Sequence, residues 1–392
     1  MSEEFYRIKR LPPYVIAEVN AMRHAARQSG RDIIDLGMGN PDQPPPQHVI
    51  DKLCEVAKKP TAHGYSQSKG IPGLRRAQAN YYANRFGVEL DPETEIVVTM
   101  GSKEGLSSMA TAITAPGDVI LAPSPSYPIH TFGFIIAGAT IRSVPTTPNE
   151  DYWKALDNAM AYTAPRPTVL VVNYPSNPTA EVVDLAFYER VVEWARENNV
   201  WVLSDLAYSE LYYDGNPTPS IMQAKGAKDV AVEFTSMSKT YGMAGWRMGF
   251  AVGNRDLIAA LTRVKSYLDY GAFTPIQAAA CAALNGPQDV VEENRMRYQK
   301  RRDVMVESFA RAGWSIPVPK ASMFAWAKMP PGFEDMGSLE FSKRLLEEAD
   351  VAVAAGVGYG EEGEGFVRIA MVENEQRIRQ AARNIKRFLD TR

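Results

Sequence analysis

A single lysine stands among hydroxyls, small residues and a trailing arginine in Ser236-Met237-Ser238-Lys239-Thr240-Tyr241-Gly242-Met243-Ala244-Gly245-Trp246-Arg247. The strand-like run Val232-Glu233-Phe234-Thr235 comes directly before it. A lysine so placed can form an imine with a carbonyl compound, and the hydroxyls together with Arg247 can hold a phosphate. Those are the two main tasks a protein performs toward pyridoxal phosphate: a Schiff base, and an anchor for the phosphate tail. The glycines and alanine let the backbone lie close to whatever binds there. The same letters also suit an exposed lysine in a Ser/Gly loop, so the surroundings must decide.

Competing motifs fall away. Ser236-x-x-Lys239 fits the S-x-x-K pattern of penicillin-binding serine enzymes, but the S-D-N and K-T-G partners of that pattern are absent, and Ser66-Gln67-Ser68-Lys69 fits it equally well. There is no P-loop and no G-x-S-x-G elbow, and Gly37-Met38-Gly39 lacks the third glycine of a dinucleotide fingerprint. A net charge of -3 gives no electrostatic footprint for nucleic acid. Cys54 and Cys281 form neither a disulfide framework nor a metal spacing, and His24, His48, His63 and His130 are scattered, so no metal site is expected. Met1-Ser2-Glu3-Glu4-Phe5 lacks the apolar core of a signal peptide, and the most hydrophobic stretch, 132–139, is too short to span a membrane. The expectation is a cytoplasmic protein.

At 392 residues the chain is too long for one ordinary core. From about Glu95 apolar runs alternate with helical patterns: 96–99 with a helix opening at Ser102, then 119–122, 168–172, a helix over 185–198, and 200–203. Continuous apolar runs separated by helices predict an α/β domain with a mostly parallel sheet covered on both faces. Beyond Gly286 come a long charged helix over 289–312, runs at 315–318, 324–327, 351–353 and 366–371, a helix from Ser338, and a terminal helix with Ile378, Ala382, Ile385 and Leu389 on one face. This is a smaller α+β unit. The residues up to about Asp42 are too few for a core and are expected to pack on it. The boundaries are a large domain over 46–287 and a small one from 1–45 plus 288–392.

In an open α/β sheet ligands bind beyond the carboxyl ends of the strands. Asp205 closes the strand after Val200, where a carboxylate could keep a pyridine nitrogen protonated; the other reading is a helix cap. Tyr208 and Asn177 can donate to a phenolic oxygen on the same ring. Ser102 and Lys103, in Gly101-Ser102-Lys103-Glu104-Gly105, open a helix whose free N–H groups suit a phosphate, with Glu104 taken to point outward. Tyr127 offers an aromatic face for stacking. Arg368, in Phe366-Val367-Arg368-Ile369-Ala370, lies inside an apolar strand and needs a carboxylate partner, structural or substrate.

Together these residues resemble the class I/II aminotransferases, the fold-type I family of pyridoxal-phosphate enzymes, over essentially the whole chain. The resemblance implies a seven-stranded-type sheet in the large domain and pyridoxal 5′-phosphate as cofactor. It makes Lys239 the Schiff-base lysine, Asp205 the pyridine partner, and Asn177 and Tyr208 the phenolic-oxygen contacts. Tyr127 becomes the stacking ring, and Ser102, Lys103, Ser236, Ser238 and Arg247 the phosphate cup. Arg368 would grip the substrate α-carboxylate, with Gly39 and Asn177 beside it. The family implies a homodimer with shared sites, in which Tyr65 of Gly64-Tyr65-Ser66 reaches the partner's phosphate. The openings Arg7-Ile8-Lys9-Arg10-Leu11-Pro12-Pro13-Tyr14 and Asp35-Leu36-Gly37-Met38-Gly39-Asn40-Pro41-Asp42 look most like alanine-type members, which pair alanine with 2-oxoglutarate by a ping-pong mechanism. Another aminotransferase specificity (diaminopimelate, aspartate, methionine or aromatic) and a lyase on the same fold remain the alternatives. Two departures from the family pattern are Ala180, where Gly is usual, and Ala355, where Pro is common.

Overall fold

A computed structural model describes residues 5–391 except 14. The Met1–Glu4 part of the leader reading and the Tyr14 end of the opening motif therefore lie outside the described residues.

In chain order the strands are β1 (Ile34–Asp35), β2 (Ile96–Thr99), β3 (Val119–Ser124), β4 (Thr140–Pro145), β5 (Val169–Asn173) and β6 (Trp201–Asp205). They continue with β7 (Ala231–Ser236), β8 (Gly249–Gly253), β9 (Phe324–Lys328), β10 (Val351–Ala352), β11 (Ala354–Ala355) and β12 (Phe366–Ala370). Seven strands form one sheet in the order β2-β8-β7-β6-β5-β3-β4, parallel throughout except for β8. The fold is therefore the α/β class expected, with a mostly parallel central sheet.

The continuous apolar runs are explained by burial on both faces. Leu170 and Val172 of β5 enter one core with Val202 of β6, while Val169 and Val171 enter the other with Leu203. Two sheet strands stand outside the runs singled out from the sequence. The edge strand β4 is mostly polar and exposed, as an edge tolerates, and β8 is bounded by glycines at both ends. Tertiary pairing, not local pattern, makes them strands.

Beyond the sheet, the 23-residue helix Asp289–Arg311 leads to a second core built on the antiparallel order β11-β12-β9 and the helices Ser338–Ala349 and Glu375–Leu389. β1 pairs in parallel with β10, which attaches the N-terminal residues to this second body. One expected run is not a strand: 315–318 is irregular, because Pro317 and Pro319 have no N–H to give a ladder, although Ile316 is still buried. Ala355 pairs with Val367 in β11, and a Cβ on the following Gly356 would lie 2.0 Å from the carbonyl oxygen of Gly363. Close backbone packing fixes the glycine there. Among the described residues no helix is long and apolar enough to cross a membrane.

Candidate active site

A cavity of about 410 Å³ lies beyond the carboxyl ends of β5, β6 and β7, walled on its far side by β9 and β12. Lys239 reaches it because Ser236 ends β7 and its side chain accepts the N–H of Ser238, starting the single turn Met237–Thr240. The Lys239 Nζ donates to the Gly39 carbonyl at 2.5 Å. Burial, with Arg368 and Arg247 adding repulsion, pushes its pKa down from 10.5 to about 7. A lysine so tuned is a nucleophile and a base near neutrality.

Ser102, Lys103, Ser236, Ser238 and Arg247 line the same end of the cavity. Gly101 has φ +84, and a Cβ there would sit 2.3 Å from Arg247 Nη2, so only glycine lets the guanidinium approach the N-terminus of the helix Ser102–Ile113. Arg247 itself adopts the left-handed region at φ 56 and donates to the carbonyls of Ala244 (2.8 Å) and Met100 (3.2 Å). A non-glycine residue held there stores strain that the surrounding structure must offset. Glu104 does not point outward as the sequence suggested. Its carboxylate accepts from Met100 N (2.8 Å) and Ser108 Oγ (2.7 Å) and pairs with buried Lys265.

Asp205 is nearly fully buried at the end of β6. Its Oδ2 lies 2.8 Å from His130 Nε2, its Oδ1 accepts from Ala207 N at 3.2 Å, and its carbonyl accepts from Asn173 Nδ2 at 2.8 Å. The buried His130 Nδ1 has no hydrogen-bond partner among the described residues, so the proton belongs on Nε2, facing the carboxylate. Asn173 Oδ1 in turn accepts the N–H of Asn177. Sequence reasoning missed both groups. Asn173 was visible as the last residue of a strand, and His130 as the residue one helical turn past Tyr127. The Tyr127 ring stands edge-on to His130 at 6.0 Å, with Lys103 Nζ 5.5 Å from its centroid. Tyr208 lines the opposite wall against Phe324, and burial raises its hydroxyl pKa.

Arg368 is 5% exposed and projects from β12 into the cavity. Nη1 donates to Asn177 Oδ1 and Nη2 to the Gly37 carbonyl, both at 2.9 Å, while Nε has no hydrogen-bond partner among the described residues. Its guanidinium lies 3.9 Å from the Phe324 centroid and 4.9 Å from that of Tyr359. Among the described residues no carboxylate pairs with it. Gly39 also lines the cavity, and a Cβ there would be 2.5 Å from Phe324 Cζ. Tyr65 is elsewhere: 89% exposed, with its ring 4.6 Å from Tyr270 beside exposed Tyr267 and Leu268. Among the described residues no His, Cys, Asp and Glu cluster could hold a metal.

The donor set suits a phosphorylated aromatic aldehyde: hydroxyls and a guanidinium at a helix N-terminus, a carboxylate backed by histidine, and a neutralisable lysine between them. The chain matches the family model for aminotransferase class I and II over residues 31–385. It is 63% identical to a putative aminotransferase, AatC, of Rhizobium meliloti, over 99% of this chain and 96% of that one. It is 53% identical to the glutamate-pyruvate aminotransferase AlaC of Escherichia coli, over 97% and 93%. Its fold is similar to that of substrate-bound BacF from a Bacillus, with TM-score 0.92, 33% identity, and 99% and 98% of the two chains covered.

Proposed function

The chain belongs to the class I and II aminotransferases, and from that premise we propose that it moves an amino group between alanine and 2-oxoglutarate, giving pyruvate and glutamate. The family uses pyridoxal 5′-phosphate, which when bound supplies an aldehyde that captures the amino group and a ring that withdraws electrons from the substrate's α-carbon. The residues present fit that group: the Gly101–Arg247 approach leaves a seat for a phosphate, and Asp205 presents a buried carboxylate with no arginine or lysine partner among the described residues.

In this reading Ser102, Lys103, Ser236, Ser238 and Arg247 hold the phosphate, and Tyr127 covers one ring face. Asp205, oriented by His130 and Ala207 N, keeps the ring nitrogen protonated. Arg368 fixes the oxygen end of the Asn177 amide, which leaves its Nδ2 as a donor alongside the Tyr208 hydroxyl. Lys239 Nζ would be the amine that holds the aldehyde, and as a neutral base it would take the proton from the substrate's α-carbon. Arg368 holds the substrate carboxylate in two-point contact, so that the α-hydrogen faces Lys239.

The observation that carries the reading is Arg368. It is a buried cation with no acidic partner among the described residues, in the same cavity as a lysine whose pKa is near 7. An unpaired buried charge is costly unless a ligand completes it. The alanine preference rests on the AlaC relative. We further propose a large domain over 46–287 and a small one from 1–45 plus 288–392, a cytoplasmic location, and a homodimer that covers the exposed Tyr65, Tyr267, Leu268 and Tyr270. In the dimer Tyr65 would serve the partner's phosphate.

The test is a panel of amino donors and oxo acids with product identification. Alanine with 2-oxoglutarate should give the highest kcat/KM. Faster turnover of diaminopimelate, aspartate, methionine or an aromatic amino acid would overturn the specificity, and elimination products without amino transfer would overturn the reaction type.

A further inference from the structure

Lys265, in the helix Arg255–Leu268, has a fully buried side chain that touches nothing in the cavity described above. Its ammonium lies 3.2 Å from both oxygens of Glu104 and 2.9 Å from Asp269 Oδ2. This buried lysine has two carboxylate partners, one in the first turn of the helix Ser102–Ile113 and one in the loop that follows its own helix. On one side Glu104 accepts the N–H of Met100, and the Met100 carbonyl accepts from Arg247 Nη2. The Met100–Gly101 turn is therefore held between the Glu104 carboxylate and the guanidinium assigned to the phosphate. On the other side Asp269 accepts the N–H of Gly271, and its carbonyl accepts from Ser68 Oγ. The 269–271 and 66–68 loops pack so closely that a Cβ on Gly271 would lie 2.2 Å from the Gln67 carbonyl oxygen. These loops present Tyr270 and Tyr65.

Glu104 poses an electrostatic problem. It occupies the first turn of the helix whose N-terminus seats the phosphate, where a free carboxylate would repel a phosphate dianion at short range. We infer that Lys265 is a positioning residue for the cofactor phosphate: it neutralises Glu104, fixes the Met100–Gly101 turn that receives Arg247, and ties this turn to the loops bearing Tyr65 and Tyr270. The inference rests on the pyridoxal-phosphate reading above.

The test compares two probes on the full-length chain stripped of cofactor: pyridoxal 5′-phosphate and pyridoxal, which has the same ring and aldehyde but no phosphate. Wild type should bind the phosphate ester far more tightly; equal binding of both would instead break the underlying cofactor reading. Lys265→Met should weaken binding of the phosphate ester about ten-fold or more, while leaving pyridoxal within about two-fold. Adding Glu104→Gln to Lys265→Met should recover most of the loss, because the unpaired carboxylate on the phosphate-seating helix is then gone and only Asp269, on the other side of Lys265, stays without its ammonium. A lysine that only holds the fold together would weaken both probes alike and gain nothing from Glu104→Gln, and that pattern overturns the inference. If Lys265→Met does not fold, Glu104→Gln alone decides. Its preference for the phosphate ester should hold or rise, and a fall overturns the inference.

Discussion

Replacing Arg368 with methionine keeps the length and apolar stem of the side chain and removes the guanidinium. In the free protein that group donates to two neutral acceptors, Asn177 Oδ1 and the Gly37 carbonyl, and lies against two aromatic faces, with no carboxylate among the described residues to repay its desolvation. Removing it should cost little stability, since a buried uncompensated charge disappears with the two hydrogen bonds. The enzyme–substrate complex is different. There a substrate carboxylate loses a desolvated, bidentate partner, a truncation that costs about 3–5 kcal/mol. At 1.36 kcal/mol per decade this lowers kcat/KM by roughly 10²·² to 10³·⁷ for every amino and oxo acid. Arg368→Lys keeps the charge but not the planar two-point grip and should recover only part of the loss. The assay compares alanine with an amine of similar size that has no carboxylate, alongside thermal denaturation. An equal loss on both amines, or a drop in midpoint of many degrees with the cofactor still bound, would refute the anchor role and make Arg368 structural.

Because Lys239 is held near pKa 7 and only the neutral amine reacts, the borohydride-trappable adduct of stripped protein with pyridoxal phosphate should form faster as pH rises through about 7 and then level; a rate still climbing toward pH 10 would show an unperturbed lysine. Lys239→Ala should leave a folded protein without turnover. Asp205→Asn should lower kcat by about 10² or more, and His130→Phe by less, about ten-fold, through loss of its contact to Asp205; near-normal activity of Asp205→Asn would reduce Asp205 to a helix cap. Ala180, buried at φ 58, carries the cost of a left-handed non-glycine residue. Ala180→Gly should therefore raise stability by about 1 kcal/mol with activity unchanged, and a lower denaturation midpoint would contradict the strain.

Much was legible in the sequence where a local rule acts alone. The β5 and β6 runs announced a doubly covered parallel sheet because both faces of each strand are buried, so the residues before the polar carboxyl ends had to be apolar. The lysine–arginine segment declared its chemistry because imine formation needs a lysine and phosphate binding needs hydroxyls and a guanidinium, whatever the fold. Family resemblance then named Asp205, Tyr127, Asn177, Tyr208 and Arg368. What the sequence could not supply were relations between distant residues. His130 meets Asp205 across 75 positions, Arg368 meets Asn177 across 191 and Lys239 meets Gly39 across 200, and no periodicity encodes such pairs. The outward reading of Glu104 failed for the same reason, since Lys265 lies 161 positions away. The polar strand β4 and the glycine-bounded β8 are strands only because neighbours offer their ladders, and 315–318 is not one because Pro317, and Pro319 just after it, have no N–H to offer. Residue types set which reactions were available. Burial and charge proximity, which exist only in the folded chain, decided which lysine is tuned and which buried arginine has no acidic partner among the described residues.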